Sequence, residues 1–311
     1  MPAVFIATQN AGEYQQLLRG RLDPAVDITV AQSLDEVTAR YSGQPVLLAQ
    51  PDFVVQLLNN DPPLSWIQST WAGVTPLVAH PNHSYRLTGL KNVFGPQMAE
   101  YVMGYLLAHE LALERRIASQ RLKRWDDAFS GQLQGKVMGI MGTGSIGAYV
   151  AKIAGQFGMD CLGLNTRGES VESFRRVYPA TALPEFLAEC DYVVSILPAV
   201  PGTDALLDRA AFAAMKDSAL LLNVGRGNVV VERDLCDALR DGEIAGAVLD
   251  VFREEPLPES SPLWDAPGLK ITGHVAAVSR PQDIAEVFIE NYRRLLAGER
   301  LNYLVDFKRG Y

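Results

Sequence analysis

The sequence is poor in the residues that stabilise small secreted domains or bind metal ions. Its cysteines are Cys161, Cys190 and Cys236, which are widely spaced, odd in number and without a CxxC pair. This usage argues against a disulfide framework and indicates reduced, buried thiols in a cytosolic protein. Its few histidines include one His-x-x-His pair, His80 and His83, but two ligands do not close a zinc site. We therefore expect no metal centre.

Long apolar runs and an excess of positive charge are also missing. No stretch approaches the roughly 20 apolar residues that span a bilayer, and no basic segment precedes the apolar run Val4–Ala7. The net charge of −8 argues against a nucleic-acid or membrane-surface partner. We expect a cytoplasmic protein that binds small molecules. An anionic substrate would then need a local positive patch.

What the chain does contain is apolar sequence, 48% of its residues against 21% charged, as in well-packed globular proteins. Its length of 311 residues suits two domains. The first third alternates predicted strands with predicted helices, which indicates a parallel sheet covered on both faces. The predicted strands are Val4–Thr8, Asp27–Ala31, Pro45–Ala49 and Trp66–Ser69, and the helices are Asn10–Arg19, Leu34–Tyr41 and Phe53–Asn59.

A second strand–helix series starts at Lys136, after a long predicted helix, Pro96–Ser119, and a polar arm, Arg121–Gln134, that contains Trp125. A last helix, Pro281–Ala297, ends the chain with a short return. The predicted strands of this series are Val137–Met141, Asp160–Leu164, Tyr192–Leu197, Ala219–Val224, Ala247–Asp250 and Lys270–Thr272, with a helix at Ile146–Phe157. Two such α/β series predict two domains with a cleft between them.

The clearest motif is the glycine run Gly142-Thr143-Gly144-Ser145-Ile146-Gly147, directly after the strand Val137–Met141 and opening a helix. In this strand–turn–helix context G-x-G-x-x-G predicts a dinucleotide site. Gly142 permits the tight turn, Gly144 lets a pyrophosphate approach the backbone, and Gly147 lets helix and strand pack closely. The first N–H groups of the helix would bind the anion. The alternative is a turn that only connects two elements.

The end of the following strand bears on the choice of dinucleotide. NAD sites usually carry an acidic residue there, where it bonds the ribose hydroxyls, but this chain has Asn165, followed by Thr166 and Arg167. Asn165 does not repel a 2′-phosphate, Thr166 can donate to it, and Arg167 can pair with it. The segment therefore favours NADP(H) and leaves NAD(H) possible. The alternative is that Arg167 is an ordinary solvated arginine and the protein is indifferent between the cofactors.

Three later strands end in polar residues, where open α/β sheets place their ligands. The segment 221–227 ends in Arg226 between glycines, 249–256 ends in Glu254 and Glu255 before Pro256, and 271–277 contains His274. Each has an ordinary alternative: Arg226 as a helix cap, Glu254 in place of Glu255, and His274 as a buried histidine bonded to a carbonyl. Their joint occurrence behind a dinucleotide turn favours an active site.

Taken together, the motifs resemble the D-isomer-specific 2-hydroxyacid dehydrogenase family, and within it the NADPH-preferring glyoxylate/hydroxypyruvate reductase branch. The resemblance covers nearly the whole chain, from Ala72-Gly73-Val74 to the last helix. It rests also on Asn165–Arg167, on His274–Ala277 followed by Ser279-Arg280-Pro281, and on the tail Val305-Asp306…Arg309-Gly310-Tyr311.

The resemblance implies a flavodoxin-like substrate domain, residues 1–97 with 283–311, and an inserted Rossmann coenzyme domain, 98–282. It implies reduction of a small 2-oxo acid to the D-2-hydroxy acid by a homodimer. Arg226 would bind the substrate, Glu255 would pair with His274, and His274 would protonate the carbonyl oxygen. The substrate would also meet Trp71, Ala72 and Gly73, and further cofactor contacts would come from Leu197, Pro198, Thr203, Asn223, Val224, Gly225, Asp250 and Ala276.

The chemistry of the reaction supports these roles independently. Hydride addition builds negative charge on oxygen, so a proton donor and a fixed cation must face that atom. Histidine exchanges protons near neutrality, a neighbouring carboxylate favours its protonated form and fixes its tautomer, and arginine offers a planar fork to a carboxylate.

Two residues depart from the usual pattern of the family. Gly273 stands where a proline usually precedes the histidine, and Trp71 narrows the expected pocket. In similar proteins the arm around Trp125 forms a dimer and can reach the partner's active site, but Trp125 can also simply pack the arm.

Two other functions stay open. An NAD-dependent dehydrogenase of another D-hydroxy acid is the first alternative function. A dinucleotide-sensing binding protein is the second, because fold alone does not fix function.

Overall fold

The computed structural model describes residues 1–308, and Arg309–Tyr311 of the resembling tail lie outside the described residues. The described chain forms two compact units, one of residues 1–93 with the C-terminal segment from Ser279, the other Phe94–Val278. The predicted domain boundaries fall after residues 97 and 282 instead of 93 and 278. As a statement about domains they stay a prediction.

The first unit is built on a five-stranded sheet in the order β2-β1-β3-β4-β5, and each pair is parallel. This is the flavodoxin-like order. The strands are β1 Val4–Ala7, β2 Ile28–Ala31, β3 Val46–Ala49, β4 Trp66–Ser69 and β5 Arg86–Thr88. The helices are α1 Ala11–Arg19, α2 Leu34–Arg40, α3 Pro51–Leu58 and α4 Thr75–Ala79, joined by the C-terminal helix Pro281–Leu296.

Alternate residues of the buried strands supply the two cores of this unit. Val4 and Ile6 pack with Tyr14 and with Phe288 of the C-terminal helix. Phe5, which lies between them in the strand, packs with residues of α3 and α4 on the opposite face. Since both faces of the sheet are covered, its strands β1 and β3 are continuously apolar. The carboxyl ends of β1, β3 and β4 remain at one edge of the sheet.

The second unit is built on a seven-stranded sheet in the order β12-β11-β10-β9-β6-β7-β8, and its pairs are parallel. Apart from the added edge strand β12, this is the Rossmann order. The strands are β6 Val137–Met141, β7 Asp160–Asn165, β8 Arg176–Pro179, β9 Tyr192–Ser195, β10 Leu220–Asn223, β11 Gly246–Leu249 and β12 Leu269–Ile271. The helices are α5 Gly95–Glu110, α6 Leu113–Arg121, α7 Ser145–Gln156, α8 Leu183–Glu189, α9 Arg209–Ala213 and α10 Glu232–Asp241, and the C-terminal helix is α11.

The predicted class, two parallel-sheet α/β domains, is confirmed, but the long helix Pro96–Ser119 is wrong. It divides into α5 and α6 at Ala112, whose φ is +47°. The Arg116 guanidinium stabilises the break because it donates to the carbonyl of Leu111 (2.9 Å) and to those of Asp126 and Ala128 in the following arm. The short elements α4, β5, β8, α8 and α9 were not predicted.

Candidate active site

The glycine run forms a tight turn between β6 and α7. Gly142 has a φ of +104°, in the left-handed region that favours glycine. A Cβ on Gly147 would lie 2.0 Å from the carbonyl oxygen of Gly142, so only glycine lets the helix start this close to the strand. The turn has the geometry of a dinucleotide-binding fingerprint.

The first turn of α7 is open to an anion. Its N-cap is Gly144, and no side chain caps the helix. A Cβ added at Gly144 would meet nothing within 4 Å. The N–H groups of Ser145 and Ile146 lack intrahelical acceptors because they belong to the first turn, and the helix dipole adds partial positive charge. These residues therefore fit the pyrophosphate of a dinucleotide.

Asn165 at the end of β7 organises the loop beside this turn. Its Oδ1 accepts from the N–H groups of Gly168 (2.7 Å) and Glu169 (3.0 Å) and also from that of Arg167. Its Nδ2 donates to Oγ1 of Thr143 (3.0 Å) and to the carbonyl of Glu169. Asn165 thus shapes the loop in which the 2′-phosphate residues are predicted.

Arg167 forms an ion pair within this loop. Its Nη1 lies 3.2 Å from Oε1 of Glu169, and the two side chains are 72% and 68% exposed. Such an exposed pair is weak, so Arg167 can exchange Glu169 for a ligand phosphate. Thr166 is also exposed. Glu169 was not among the predicted cofactor residues.

The segment after β9 lies against the end of β10. A Cβ on Gly225 would lie 2.6 Å from the carbonyl oxygen of Leu197, so the two backbones meet closely there. Oγ1 of Thr203 donates to the carbonyl of Pro198 (2.6 Å) and accepts from the N–H of Val200. The Thr203 hydroxyl therefore holds the loop in shape, while contact with a cofactor stays a prediction.

Arg226 follows β10 and is held by its own turn. The buried Asn223 donates from Nδ2 to the carbonyl of Arg226 (3.0 Å) and accepts from the N–H of Gly225 (3.3 Å). Nη1 of Arg226 donates to the carbonyl of Gly225 (2.6 Å). Burial lowers the pKa of Arg226, and the negative charge of Glu255 opposes this shift. The side chain remains a cation because the ordinary pKa of arginine lies far above neutral pH.

Asp250, at the end of β11, fixes the turn that carries His274. His274 has a φ of +56°, and its N–H donates to the Asp250 carbonyl (2.8 Å). The Asp250 carboxylate accepts from the N–H groups of Val275 and Ala276, both at 2.9 Å, and from Oγ1 of Thr272 (2.5 Å). The observed role of Asp250 is thus to hold the histidine turn, and its predicted contact with the cofactor is untested.

Glu255 is the acid that contacts His274. Its Oε2 lies 2.8 Å from Nδ1 of the imidazole, and its Oε1 accepts from the N–H of Phe252 (2.9 Å). Within residues 1–308 the exposed Glu254 makes no hydrogen bond or ion pair. Since a carboxylate only accepts, Nδ1 is the donor. The imidazole, 48% exposed, keeps Nε2 for a substrate.

Sequence reasoning missed the support behind the histidine turn. The hydroxyl of Tyr101 on α5 lies 2.5 Å from Oγ1 of Thr272, which in turn donates to Asp250. Burial raises the pKa of Tyr101, which keeps the phenol protonated. No motif marks Tyr101, because its role arises from a contact between α5 and a residue far along the chain, Thr272 after β12.

In the first unit, the segment Trp71–Gly73 follows β4. Oγ of Ser69 accepts from the N–H of Trp71 (3.0 Å) and donates to its carbonyl (2.8 Å). The Trp71 side chain is 39% exposed. In the described chain the N–H groups of Ala72 and Gly73 make no backbone hydrogen bond, so they are available to an acceptor such as a carboxylate.

Residues 1–308 contain neither a membrane-spanning helix nor a metal-binding cluster. No helix among them is long and apolar enough to cross a membrane. The same residues contain no cluster of three or more His, Cys, Asp or Glu side chains able to hold a metal ion. The Rossmann sheet and its glycine turn are the features of a dinucleotide-binding domain.

Comparison with known proteins identifies the family. Residues 103–276 match the D-isomer specific 2-hydroxyacid dehydrogenase, NAD binding domain. A glyoxylate/hydroxypyruvate reductase A of Yersinia enterocolitica is 32% identical over 215 residues, 69% of each chain. The chain therefore belongs to the D-isomer-specific 2-hydroxyacid dehydrogenase family, and the resemblance is confirmed.

Solved structures agree over nearly the full length. A D-isomer specific 2-hydroxyacid dehydrogenase family protein from Aeromonas salmonicida superposes with a TM-score of 0.93 at 38% identity, covering 98% of this chain and 99% of the other. An NADPH-dependent glyoxylate/hydroxypyruvate reductase from Sinorhizobium meliloti, in complex with NADP and sulfate, gives 0.87 at 27% identity with full coverage of both chains.

Proposed function

We propose that the protein uses NADPH to reduce a small 2-oxo acid, glyoxylate or hydroxypyruvate, to the corresponding 2-hydroxy acid of D configuration where that product is chiral. The observation that carries the proposal is the 2.8 Å contact between Glu255 and His274, on strand ends beside Arg226. The similarity to glyoxylate/hydroxypyruvate reductases from Yersinia enterocolitica and Sinorhizobium meliloti supports the substrate class.

The roles of the side chains follow from the charge that develops on the substrate. A bound reduced nicotinamide supplies the hydride that adds to C2. His274 donates a proton from Nε2 to the carbonyl oxygen, and Glu255 stabilises the imidazolium before the transfer. Arg226 stabilises negative charge on the carboxylate and on the developing alkoxide. The backbone N–H groups of Ala72 and Gly73 donate hydrogen bonds to the substrate carboxylate, and Trp71 lies beside them in the chain.

The proposed cofactor contacts involve the ends of successive strands. Gly142–Gly147 would bind the pyrophosphate, and Leu197, Pro198 and Thr203 would lie along the cofactor. Further contacts would come from Asn223, Val224, Gly225, Asp250 and Ala276. Preference for NADPH rests on Asn165, which carries no repelling charge, and on Arg167 beside Thr166. The NADP bound to the Sinorhizobium meliloti relative supports this choice. The Glu169 carboxylate near Arg167 opposes a strict preference, so use of NADH is also proposed.

We also propose a homodimer formed through the arm that follows α6. Two aromatic side chains of this arm are almost fully exposed in the single chain, Trp125 at 93% and Phe129 at 100%. Exposed apolar groups of this size mark interaction surfaces when they occur together. The Arg116 hydrogen bonds that fix residues 126–130 hold the arm in one conformation.

The test is an initial-rate panel followed by the absorbance of the reduced nicotinamide. Purified protein is assayed with NADPH or NADH and with glyoxylate, hydroxypyruvate, pyruvate and bulkier 2-oxo acids. The proposal predicts fast turnover of one or two small acids with NADPH. Turnover of another acid with NADH alone would favour a different D-hydroxyacid dehydrogenase. Tight dinucleotide binding without any turnover would favour a sensing protein.

A further inference from the structure

Arg253 belongs to the segment that carries Glu255, but its side chain contacts the segment that carries Arg226. Its Nη2 donates to the carbonyl of Asn228 (2.9 Å), and its Nε donates to the carbonyl of Val230 (3.3 Å). Both acceptors come shortly after Arg226 in the chain. One guanidinium therefore joins the loops that carry two of the proposed active-site residues.

The backbones of these two loops are also in direct contact. A Cβ added at Gly227 would lie 1.8 Å from the carbonyl carbon of Phe252 and 2.4 Å from the amide nitrogen of Arg253, so only glycine fits there. The N–H of Arg253 in turn donates to Oε1 of Glu232 (3.0 Å), in the first turn of α10. The Arg253 side chain therefore starts from a fixed point beside the Arg226 loop.

Arg253 also contacts a third loop, the segment that follows Thr203. Its Nη2 lies 3.3 Å from Oδ1 of Asp204. The N–H of Ala205 donates to the Asn228 carbonyl (2.8 Å), which is the oxygen that also accepts from Arg253. Thr203 belongs to the loop that is proposed to lie along the cofactor. The guanidinium is thus at the junction of three loops that carry proposed site residues.

The acceptors around Arg253 require the shape of a guanidinium as well as its charge. They are two backbone carbonyls and one carboxylate, and arginine presents several N–H donors in a rigid planar fork. The ion pair with Asp204 contributes little, because the two side chains are 41% and 56% exposed. A lysine would keep the charge, but its single nitrogen on a flexible stem would not hold both carbonyls. The hydrogen bonds to the carbonyls are therefore the contacts that fix the Arg226 loop.

We propose that Arg253 is a positioning residue for the reaction, which holds the Arg226 loop against the loop of Glu255. The inference rests on the proposed function, in which Arg226 binds the substrate and stabilises the negative charge that develops on it. Displacement of such a group by about 1 Å can lower a rate by roughly a hundredfold. Loss of the Arg253 guanidinium therefore lowers activity, although its role requires no contact with the substrate.

The experiment is a double-mutant cycle between Arg253→Ala and Arg226→Lys. Both kcat and KM are measured with the 2-oxo acid that the wild type reduces fastest, and the Kd for NADPH is measured separately. Arg253→Ala should lower kcat/KM about tenfold in the wild type but less than about twofold in Arg226→Lys, because the group that Arg253 positions is then already replaced. The Kd for NADPH should change less than about twofold, because Arg253 contacts the cofactor loop through an exposed ion pair, which is weak.

Two further variants separate positioning from the loss of a surface charge. Arg175→Ala is the matched control, because the half-exposed Arg175 also forms an ion pair, 3.3 Å from Oδ2 of Asp160 at the start of β7. It should leave kcat/KM unchanged. Arg253→Lys keeps the charge and should recover only part of the activity that Arg253→Ala loses. If Arg253→Ala does not fold, Arg253→Lys takes its place in the cycle, with the same expected non-additivity.

A binding measurement completes the cycle if Arg226→Lys has no measurable turnover. The probe is oxamate, an unreactive analogue of a 2-oxo acid, whose Kd is measured by calorimetry in the presence of NADPH. Arg253→Ala should weaken oxamate binding in the wild type and leave it unchanged in Arg226→Lys.

Failure of this inference is separable from failure of the proposed function. Equal losses from Arg253→Ala in the wild type and in Arg226→Lys, in variants that melt like the wild type, would overturn the positioning role. Full activity of Arg253→Ala, or an equal loss of NADPH affinity, would also overturn it. If the wild type reduces no 2-oxo acid, the proposed function fails, and with it the substrate role of Arg226 on which this inference rests.

Discussion

Glu255 and His274 belong to segments that follow the neighbouring strands β11 and β12, and Oε2 of one lies 2.8 Å from Nδ1 of the other. The second carboxylate oxygen of Glu255 accepts from the N–H of Phe252. This hydrogen bond fixes the position of the carboxylate beside the imidazole. This arrangement fixes the orientation of the ring, and its other nitrogen, Nε2, is left to donate a proton to a carbonyl oxygen.

Replacing Glu255 by glutamine should therefore impair proton donation more than substrate or cofactor binding. We expect Glu255→Gln to lower kcat by roughly ten- to a hundredfold, a loss within the range of a general acid–base contribution. Glu254→Gln is the control, since it removes the adjacent negative charge from a side chain without a partner among residues 1–308. Steady-state kinetics check both. Equal effects of the two substitutions would contradict the assignment of Glu255.

If Arg167 binds the 2′-phosphate as proposed, substitutions of Arg167 and of its ion-pair partner Glu169 should change NADPH affinity in opposite directions. Arg167→Ala should raise the Kd for NADPH about tenfold and change that for NADH little, because only NADPH carries the 2′-phosphate. Glu169→Gln should act in the opposite direction and tighten NADPH, because it removes a competing carboxylate. Fluorescence titration of both cofactors measures the changes. Equal losses for NADPH and NADH in Arg167→Ala would remove the phosphate argument.

If the homodimer forms through Trp125 and Phe129 as proposed, charged residues at these two positions should dissociate it. A Trp125→Glu/Phe129→Glu variant should be monomeric where the wild type is dimeric, because two carboxylates cannot be buried unpaired in an apolar contact. Phe157→Glu, at a half-exposed position after α7, is the control and should stay dimeric. Light scattering after gel filtration measures the mass. A monomeric wild type, or a dimeric double variant, would contradict the proposed interface.

The sequence predicted the elements that are long and apolar. β1, β3 and β6 are wholly or mostly buried strands whose apolar runs are visible in the chain, and the glycine run marks the start of α7. It did not predict the helix break at Ala112, because the hydrogen bonds of Arg116 that stabilise the break depend on the backbone conformation of the following arm. β5, with three residues, is too short to have a pattern of its own.

For the candidate site, the sequence identified the chemical groups and not their support. Histidine, glutamate and arginine at strand ends are visible as residue types. Their support depends on tertiary contacts that no local pattern shows. It consists of the left-handed backbone of His274, the four hydrogen bonds that Asp250 accepts in this turn, and the Tyr101 hydroxyl that contacts Thr272.

The most direct test of the account compares wild type, His274→Gln and His109→Gln in the reduction of hydroxypyruvate by NADPH. His109 is an exposed histidine on α5 and serves as the matched control. We predict that the wild type and His109→Gln form one D-glycerate for each NADPH consumed. His274→Gln should bind NADPH nearly normally but lose at least about a hundredfold in kcat. An unchanged kcat in His274→Gln would contradict the central claim that this histidine is the proton donor.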